Sequence, residues 1–383
     1  MRQRAAQVAI AARGVRWMAQ SVACTSSASD TIDSSEGNET KVIFLRDKHV
    51  AMMRPFRRLA CSTAPTSIAA AVSVATPSNL ALLAPQQEIA WTYEELDLKA
   101  RQLASGLEDL GYKPGCVVIS DIPNVAENLL LQCALAHIGA SIMTPPKDVD
   151  ALAALCAKHN IKGVICVDGA TPPLSSPIKQ PLPAIHLDVT EGLRPAQGSV
   201  PFGELLAHCP PRGATPAASE DSVLGVFGGS SLTQSAGLSL GASAASKLML
   251  SADDRVCCSV TLMHAFGIGS SVCSAFSSGA AVVLPAVGGI RGCGDPKQRA
   301  SVTAEVLAST SATVLFGDTH TLRAMRAQAA PTAPLALRTG VVKIGSGSTF
   351  LDGVTEAPSG KGTDALPLEF AGVSFHAFGK AAA

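Results

Sequence analysis

A chain of 383 residues, 47% of them hydrophobic, can bury a full core as one large domain or two ordinary ones. Thirty basic and thirty acidic side chains cancel and aromatics make up only 4%, which leaves no electrostatic or stacking case for nucleic acid as a partner. No uninterrupted apolar run reaches the roughly 18 residues needed to cross a bilayer, and the Ala-rich run from Ile68 to Ala75 is far too short.

Residues 1–64 read as a targeting or disordered segment. From Met1 to Ser29 there is no Asp or Glu, while Arg2, Arg4, Arg13 and Arg16 are spread among Ala, Val and Ile. That is the composition of a mitochondrial or plastid transit peptide. Met52-Met53-Arg54-Pro55-Phe56-Arg57-Arg58 has the same chemistry and runs directly into domain-like sequence, whereas Asp30 to Glu39 is acidic and suits neither a presequence nor a core. Two starts stay open, Met1 on one side and Met52 or Met53 on the other. The expected location is the mitochondrion, in the matrix or associated with the inner membrane, ahead of the plastid. A basic tail with no address is the bland alternative.

Regular structure begins with Trp91 to Leu96. Thr92 is placed to cap a helix while Glu95 reaches back to it, and Leu96, Ala100, Leu103, Leu107 and Leu110 share one face. Gly111 stops that helix and Pro114 prevents its resumption. Cys116 to Ser120 is a strand, a helix begins at Pro123-Asn124 and ends at Gly139, and Ser141 to Thr144 returns as a strand before Pro145-Pro146. Asp148 to His159 is helical and Gly163 to Val167 a further strand. Residues 168–222, crowded with Pro and small residues, read as a long surface excursion in which only Ala184 to Leu187 and Phe202 to Ala207 look regular. Beyond it, strands are expected at Val223 to Phe227, Arg255 to Val260, Ala280 to Leu284, Ala312 to Phe316, Leu337 to Ile344 and Val373 to Ala377. Helices are expected over His264 to Phe276, Pro296 to Ala308 and Thr319 to Ala329. No internal repeat is visible. The alternation predicts an α/β fold of parallel sheets covered by helices.

Eleven cysteines are scattered without a Cys-x-x-Cys pair or zinc-ligand spacing, and read as small buried residues in a reducing compartment. No Ser-His-Asp pattern or Gly-x-Ser-x-Gly elbow supports hydrolase chemistry. His137, His159 and His208 read as surface residues, and Lys343 and Lys380 as solvated cations. The stretch that invites a chemical reading is Gly228 to Leu238, a loop rich in Gly, Ser and Thr after an apolar strand. Such a loop can cradle phosphate through backbone N–H groups and an added cation. No Lys or Arg lies between Val223 and Leu238, however, and an ordinary strand-to-strand connection fits the same residues better.

Three features together resemble the adenylate-forming acyl-CoA synthetase (AMP-binding) family, over about residues 65–383. The first is Ala90 to Asp97 with Leu110-Gly111-Tyr112-Lys113-Pro114-Gly115 and Pro123-Asn124. The second is the strand and small-residue loop at Phe227 to Gly237, where the family carries Tyr-Thr-Ser-Gly-Thr-Thr-Gly-x-Pro-Lys-Gly. The third is Asp254-Arg255 followed by Leu262-Met263-His264-Ala265-Phe266-Gly267. The resemblance implies the large N-terminal domain of these enzymes. It places cofactor-binding positions at Ser230, Ser231, Thr233, Gly237, His264 and Gly379. It also implies ATP or AMP, Mg and CoA as cofactors if the chain is a working ligase.

Several departures argue against that chemistry. By position, Ser230 and Thr233 stand where the family loop has glycines, Ala236 replaces its lysine and Gly237 is retained. Phe378-Gly379-Lys380-Ala381-Ala382 stands where the family has Tyr-Gly-x-Thr-Glu, so the groups that handle phosphate and magnesium become alanines, which supply no oxygen ligands. The family's ribose-binding aspartate, hinge and small C-terminal domain with its catalytic lysine have no counterpart. His264 is placed beside the acyl and adenylate pocket by the resemblance, and a histidine packed at a strand end remains an equal reading. The expectation is a non-catalytic relative with no catalytic residues, no metal and no cofactor, acting as a structural or accessory subunit of a mitochondrial assembly. Two alternatives stay open: a ligase half completed by another chain, and a module that binds an acyl or CoA ligand near His264.

Overall fold

The computed structural model describes residues 64–120, 122–146, 148–167, 184–187, 199–286, 294–328, 334–344 and 368–378. The residues up to 63, which were expected to be a targeting or disordered segment, lie outside the described residues, as do Gly379, Lys380 and parts of 168–222.

The first half of the chain opens with α1 (Ile68–Val74), β1 (Leu80–Ala84) and β2 (Ile89–Thr92), followed by α2 (Tyr93–Asp109). The α2 N-terminus is the reciprocal cap expected from sequence. Thr92 Oγ1 accepts from the Glu95 N–H at 3.2 Å and Glu95 Oε2 accepts from the Thr92 N–H at 2.9 Å. Leu96, Ala100, Leu103 and Leu107 form its buried stripe. Next come β3 (Val117–Ser120), α3 (Ala126–Ile138), β4 (Ser141–Met143), α4 (Val149–Lys158), β5 (Ile161–Val167), β6 (Ala184–Leu187), β7 (Val200–Pro201) and α5 (Phe202–His208).

The second half holds β8 (Val223–Phe227), β9 (Ser230–Thr233), α6 (Gln234–Lys247) and β10 (Arg255–Cys258). Wide π-type turns over Phe266–Val272 then run into α7 (Cys273–Ser278). They are followed by β11 (Ala281–Val283), α8 (Pro296–Thr310), β12 (Val314–Asp318), α9 (Thr319–Ala327), β13 (Thr339–Lys343), β14 (Glu369–Phe370) and β15 (Val373–Phe378).

Two mostly parallel sheets result, ordered β7-β6-β5-β3-β4-β8-β9 and β14-β15-β13-β12-β10-β11-β1-β2. The expected α/β architecture of parallel sheets with helices is present. Several elements were not expected from sequence, the short strands β7, β9 and β14 and the larger ones that follow. These are α1, the antiparallel β1–β2 pair, and α6, whose Ser-, Ala- and Gly-rich residues carry no clear apolar stripe. The segment expected as a surface excursion contributes to a sheet. β6 pairs in parallel with β5 (Val164↔Ala184, Ile165↔Ile185), and Ile185 is fully buried.

Helix α3 is apolar nearly all round and is buried on every side, as such a sequence requires. Its polar residues tie the molecule together. Asn124, just ahead of it, donates from Nδ2 to the Cys258 and Val260 carbonyls at 3.3 and 2.5 Å. Its Oδ1 accepts from the Leu262 N–H at 2.9 Å. Asn128 Nδ2 donates to the Ile122 and Pro123 carbonyls, and Gln132 Nε2 donates to Asn128 Oδ1. One buried amide ladder thus fixes the β3–α3 turn of one sheet against the chain leaving β10 in the other.

His137, expected at the surface, is fully buried in the last turn of α3. Helices α1 and α2 cover it. Its Nε2 lies 3.6 Å from Asp97 Oδ1 on α2, while Asp97 also accepts from Ser73 Oγ at 2.5 Å and Arg101 Nε at 2.8 Å. The His137 carbonyl accepts from Arg212 Nη1 and the Ala217 N–H, which satisfies an otherwise orphaned helix end. Several cysteines behave as small buried residues, and burial pushes the Cys273 thiol up to about 12.

Burial alone would raise the Asp97 carboxyl, but the facing His137, Ser73 and Arg101 outweigh it and hold the group at about 2. The folded value lies below the ordinary aspartate value. Asp97's contribution is therefore complete above about pH 4 and is lost as pH falls towards 2. Asp97→Asn is expected to flatten the stability profile between those values, measured as urea midpoint against pH. Asn124→Ala strands two carbonyls and one N–H in the interior. It is expected to cost about 3 kcal/mol in urea unfolding with little change in the denaturant slope.

Candidate functional site

The parallel strands β10, β12, β13 and β15 end together, and ligand sites in open α/β sheets gather at such carboxyl ends. In register across this edge stand Asp318, Lys343 and Phe378. His264 enters it from the segment that leaves β10, the segment the Asn124 amide holds. Phe266 is buried against Phe316 and Phe378, with ring centroids 5.7 and 4.6 Å apart, and so anchors that segment by packing. Gly267 has a steric reason to be glycine. A Cβ there would lie 2.0 Å from the Thr261 carbonyl oxygen.

The partly buried His264 ring is oriented at both nitrogens. Nδ1 accepts from the Phe266 N–H at 3.0 Å, and Nε2 lies 3.0 Å from Lys343 Nζ. Lys343 is therefore not the solvated cation that its sequence position suggested. It terminates an apolar strand whose pairing with β12 and β15 carries the side chain to the turn after β10. A lysine closing the run Gly340-Val341-Val342 was the available signal, but sequence alone does not say which strand lies next to it.

The Gly228 to Leu238 stretch is not a loop. Gly228 and Gly229, at φ 58° and 82°, make a two-residue turn of the kind that matches the twist of an antiparallel hairpin. Phe227 pairs with Ser230 and Val226 with Ser231. Ser230, Ser231 and Thr233 lie in β9, and Thr233 Oγ1 is spent on capping α6 through the Ala236 N–H at 3.2 Å. Gly237 lies inside α6, where its smallness serves packing. A Cβ on Gly237 would meet Leu224 Cδ2 at 3.0 Å, and one on Gly269 would meet the Gly237 Cα at 3.7 Å. The expected phosphate positions are thus dispersed over a strand and a helix. A triphosphate needs a run of inward-pointing N–H groups with a cation. A closed two-residue turn does not fit one.

Asp254 likewise has a structural task. Arg338 and Thr313 both donate to its carboxylate, and Arg338 also reaches the Leu248 and Met249 carbonyls. Burial would raise Asp254, but these donors and the Arg338 charge hold it below the usual carboxylate range. Among the described residues, no group of three or more His, Cys, Asp or Glu side chains is placed to hold a metal ion. Nor, among them, is any helix long and apolar enough to cross a membrane.

Residues 70–211 match the family model of AMP-binding enzymes. No curated protein matches the chain. Among solved structures, MbtA of Mycobacterium smegmatis is similar at 18% identity and TM-score 0.57, covering 74% of this chain and 53% of its own. A benzoate CoA ligase from Burkholderia xenovorans is similar at 19% identity and TM-score 0.55, covering 72% and 55% respectively. A putative long-chain-fatty-acid CoA ligase from Rhodopseudomonas palustris gives 19% identity and TM-score 0.57, covering 73% and 70%. The chain thus spans about half the length of the first two of these proteins. Residues 70–211 match the AMP-binding model, and the chain has the fold of the large N-terminal domain of acyl- and aryl-CoA ligases.

Proposed function

We propose that this chain is a non-catalytic relative of acyl-CoA ligases that acts as a structural or accessory subunit of a mitochondrial assembly. The observation that carries the first part is the Gly228–Gly229 turn, which stands where the resemblance calls for an eleven-residue phosphate-wrapping run. Adenylation concentrates negative charge on a transferring phosphoryl group, and catalysis of such a step is largely positioning and electrostatic stabilisation. A hairpin closed by strand pairing offers neither a cradle nor a cation at that place. The mitochondrial part rests on the acid-free, arginine-bearing composition of Met1 to Ser29.

ATP–pyrophosphate exchange with a panel of carboxylic acids is expected to stay at background in the purified protein. Native fractionation of mitochondria is expected to place the chain in a large particle. Exchange above background, or migration as a free monomer, contradicts the corresponding half of the reading.

A second reading has its own observation. His264 and Lys343 meet at the carboxyl edge of the sheet, both partly accessible, and two nitrogens converging there suit the anionic or carbonyl end of a small acyl ligand. On this reading the chain binds an acyl or CoA compound without turning it over. Calorimetry with acyl-CoA is expected to give saturable binding that needs no ATP and that falls at least tenfold in His264→Ala. Unchanged affinity in that variant removes His264 from the site.

A further inference from the structure

We propose that Lys343 is a neutral, nucleophilic amine and an acceptor site for activated acyl groups of the thioester class. Two donors conflict at this place. The Phe266 N–H donates to His264 Nδ1 at 3.0 Å, and a backbone amide cannot give up its proton. Nδ1 is therefore the acceptor nitrogen, so the ring is neutral and carries its proton on Nε2. Lys343 Nζ lies 3.0 Å from that same Nε2. An ammonium has donors and no acceptor, so a charged Lys343 sets N–H against N–H. A neutral amine presents a lone pair to the Nε2–H, and the contact becomes a hydrogen bond.

The surroundings act in both directions. Partial burial and the apolar register partner Phe378 on β15 disfavour the ammonium. Asp318, the register partner on β12 whose Oδ1 accepts from the Thr321 N–H at 2.7 Å, favours it. His376, two residues before Phe378 on β15, is the other titratable group on the paired strands among the described residues. Lys343 and His264 both make further interactions, so the constraint comes from the Phe266 amide and not from isolation. In the reaction, the Nζ lone pair attacks the thioester carbonyl and the C–S bond breaks. The leaving thiolate takes the proton lost from nitrogen, giving an amide and a thiol with no change of oxidation state. The inference stands whether or not the chain binds acyl-CoA as a resident ligand.

The full-length protein is treated with the acetyl thioester of N-acetylcysteamine over a range of pH, and acetylation is quantified peptide by peptide. The exposed Lys113, Lys247 and Lys297 serve as internal references. At pH 7, Lys343 is expected to be acetylated about 30- to 100-fold faster than these, the excess expected of an amine that is largely neutral where ordinary lysines are charged. His264→Phe, which removes the N–H donor and keeps a ring, is expected to bring Lys343 down to the reference rate. His264→Gln retains a donor and is expected to keep most of the excess. A wild-type Lys343 that reacts no faster than the references overturns the proposal, as does an excess that survives in His264→Phe. If His264→Phe does not fold, the wild-type pH profile decides alone.

Discussion

The side-chain amide of Asn124 ties the two sheets together. Asn124 sits where β3 hands over to α3, and it satisfies two carbonyls and one N–H of the chain that leaves β10. The Val260 carbonyl and the Leu262 N–H lie beyond the end of β10 and are buried, so they need partners. By supplying them, Asn124 sets the path of residues 258–262 and hence the place of His264. The rest of the carboxyl edge builds on that path. Phe266 docks on Phe316 and Phe378, and the Phe266 N–H turns the His264 ring so that Nε2 looks at Lys343.

The proposed reading asks for a scaffold that keeps this joint while lacking a phosphate-binding run. The β8–β9 connection is a tight hairpin at a sheet margin, far in sequence from Asn124, Asn128 and Gln132. That separation makes the proposed combination physically consistent, since a change at the hairpin need not disturb the joint. On the reading proposed above, a histidine that presents an N–H to a lysine amine suits binding or amine reactivity.

Local sequence announced its elements well where a mechanism was visible in it. The capping box at Thr92 and Glu95, the strand run Val117 to Ser120 and the helix over Ala126–Ile138 all follow from capping, apolar runs and glycine stops. Boundaries slipped where tertiary bonds override the apolar run. β12 starts at Val314 rather than Ala312 because Thr313 is engaged with Arg255 and Asp254 from the neighbouring strand. Helix α6 was hidden because two glycines and small residues replace the usual stripe. One of them, Gly241, lets it lie against α7 so closely that a Cβ would come within 2.4 Å of the Cys273 backbone.

By itself, then, the amino-acid order determined the α/β alternation, the family resemblance, the His264 candidate and the lack of a basic residue between Val223 and Leu238. Those properties are short-range, carried by periodicity, turn chemistry and residue type. Only the tertiary structure decided that Ser230 to Thr233 is a paired strand, that His137 is interior, and that Lys343 meets His264. Each depends on which strands and helices become neighbours, and Lys343 is 79 residues from His264 along the chain. Sheet order and register bring such distant groups within 3 Å, and neither is written in any local stretch of sequence.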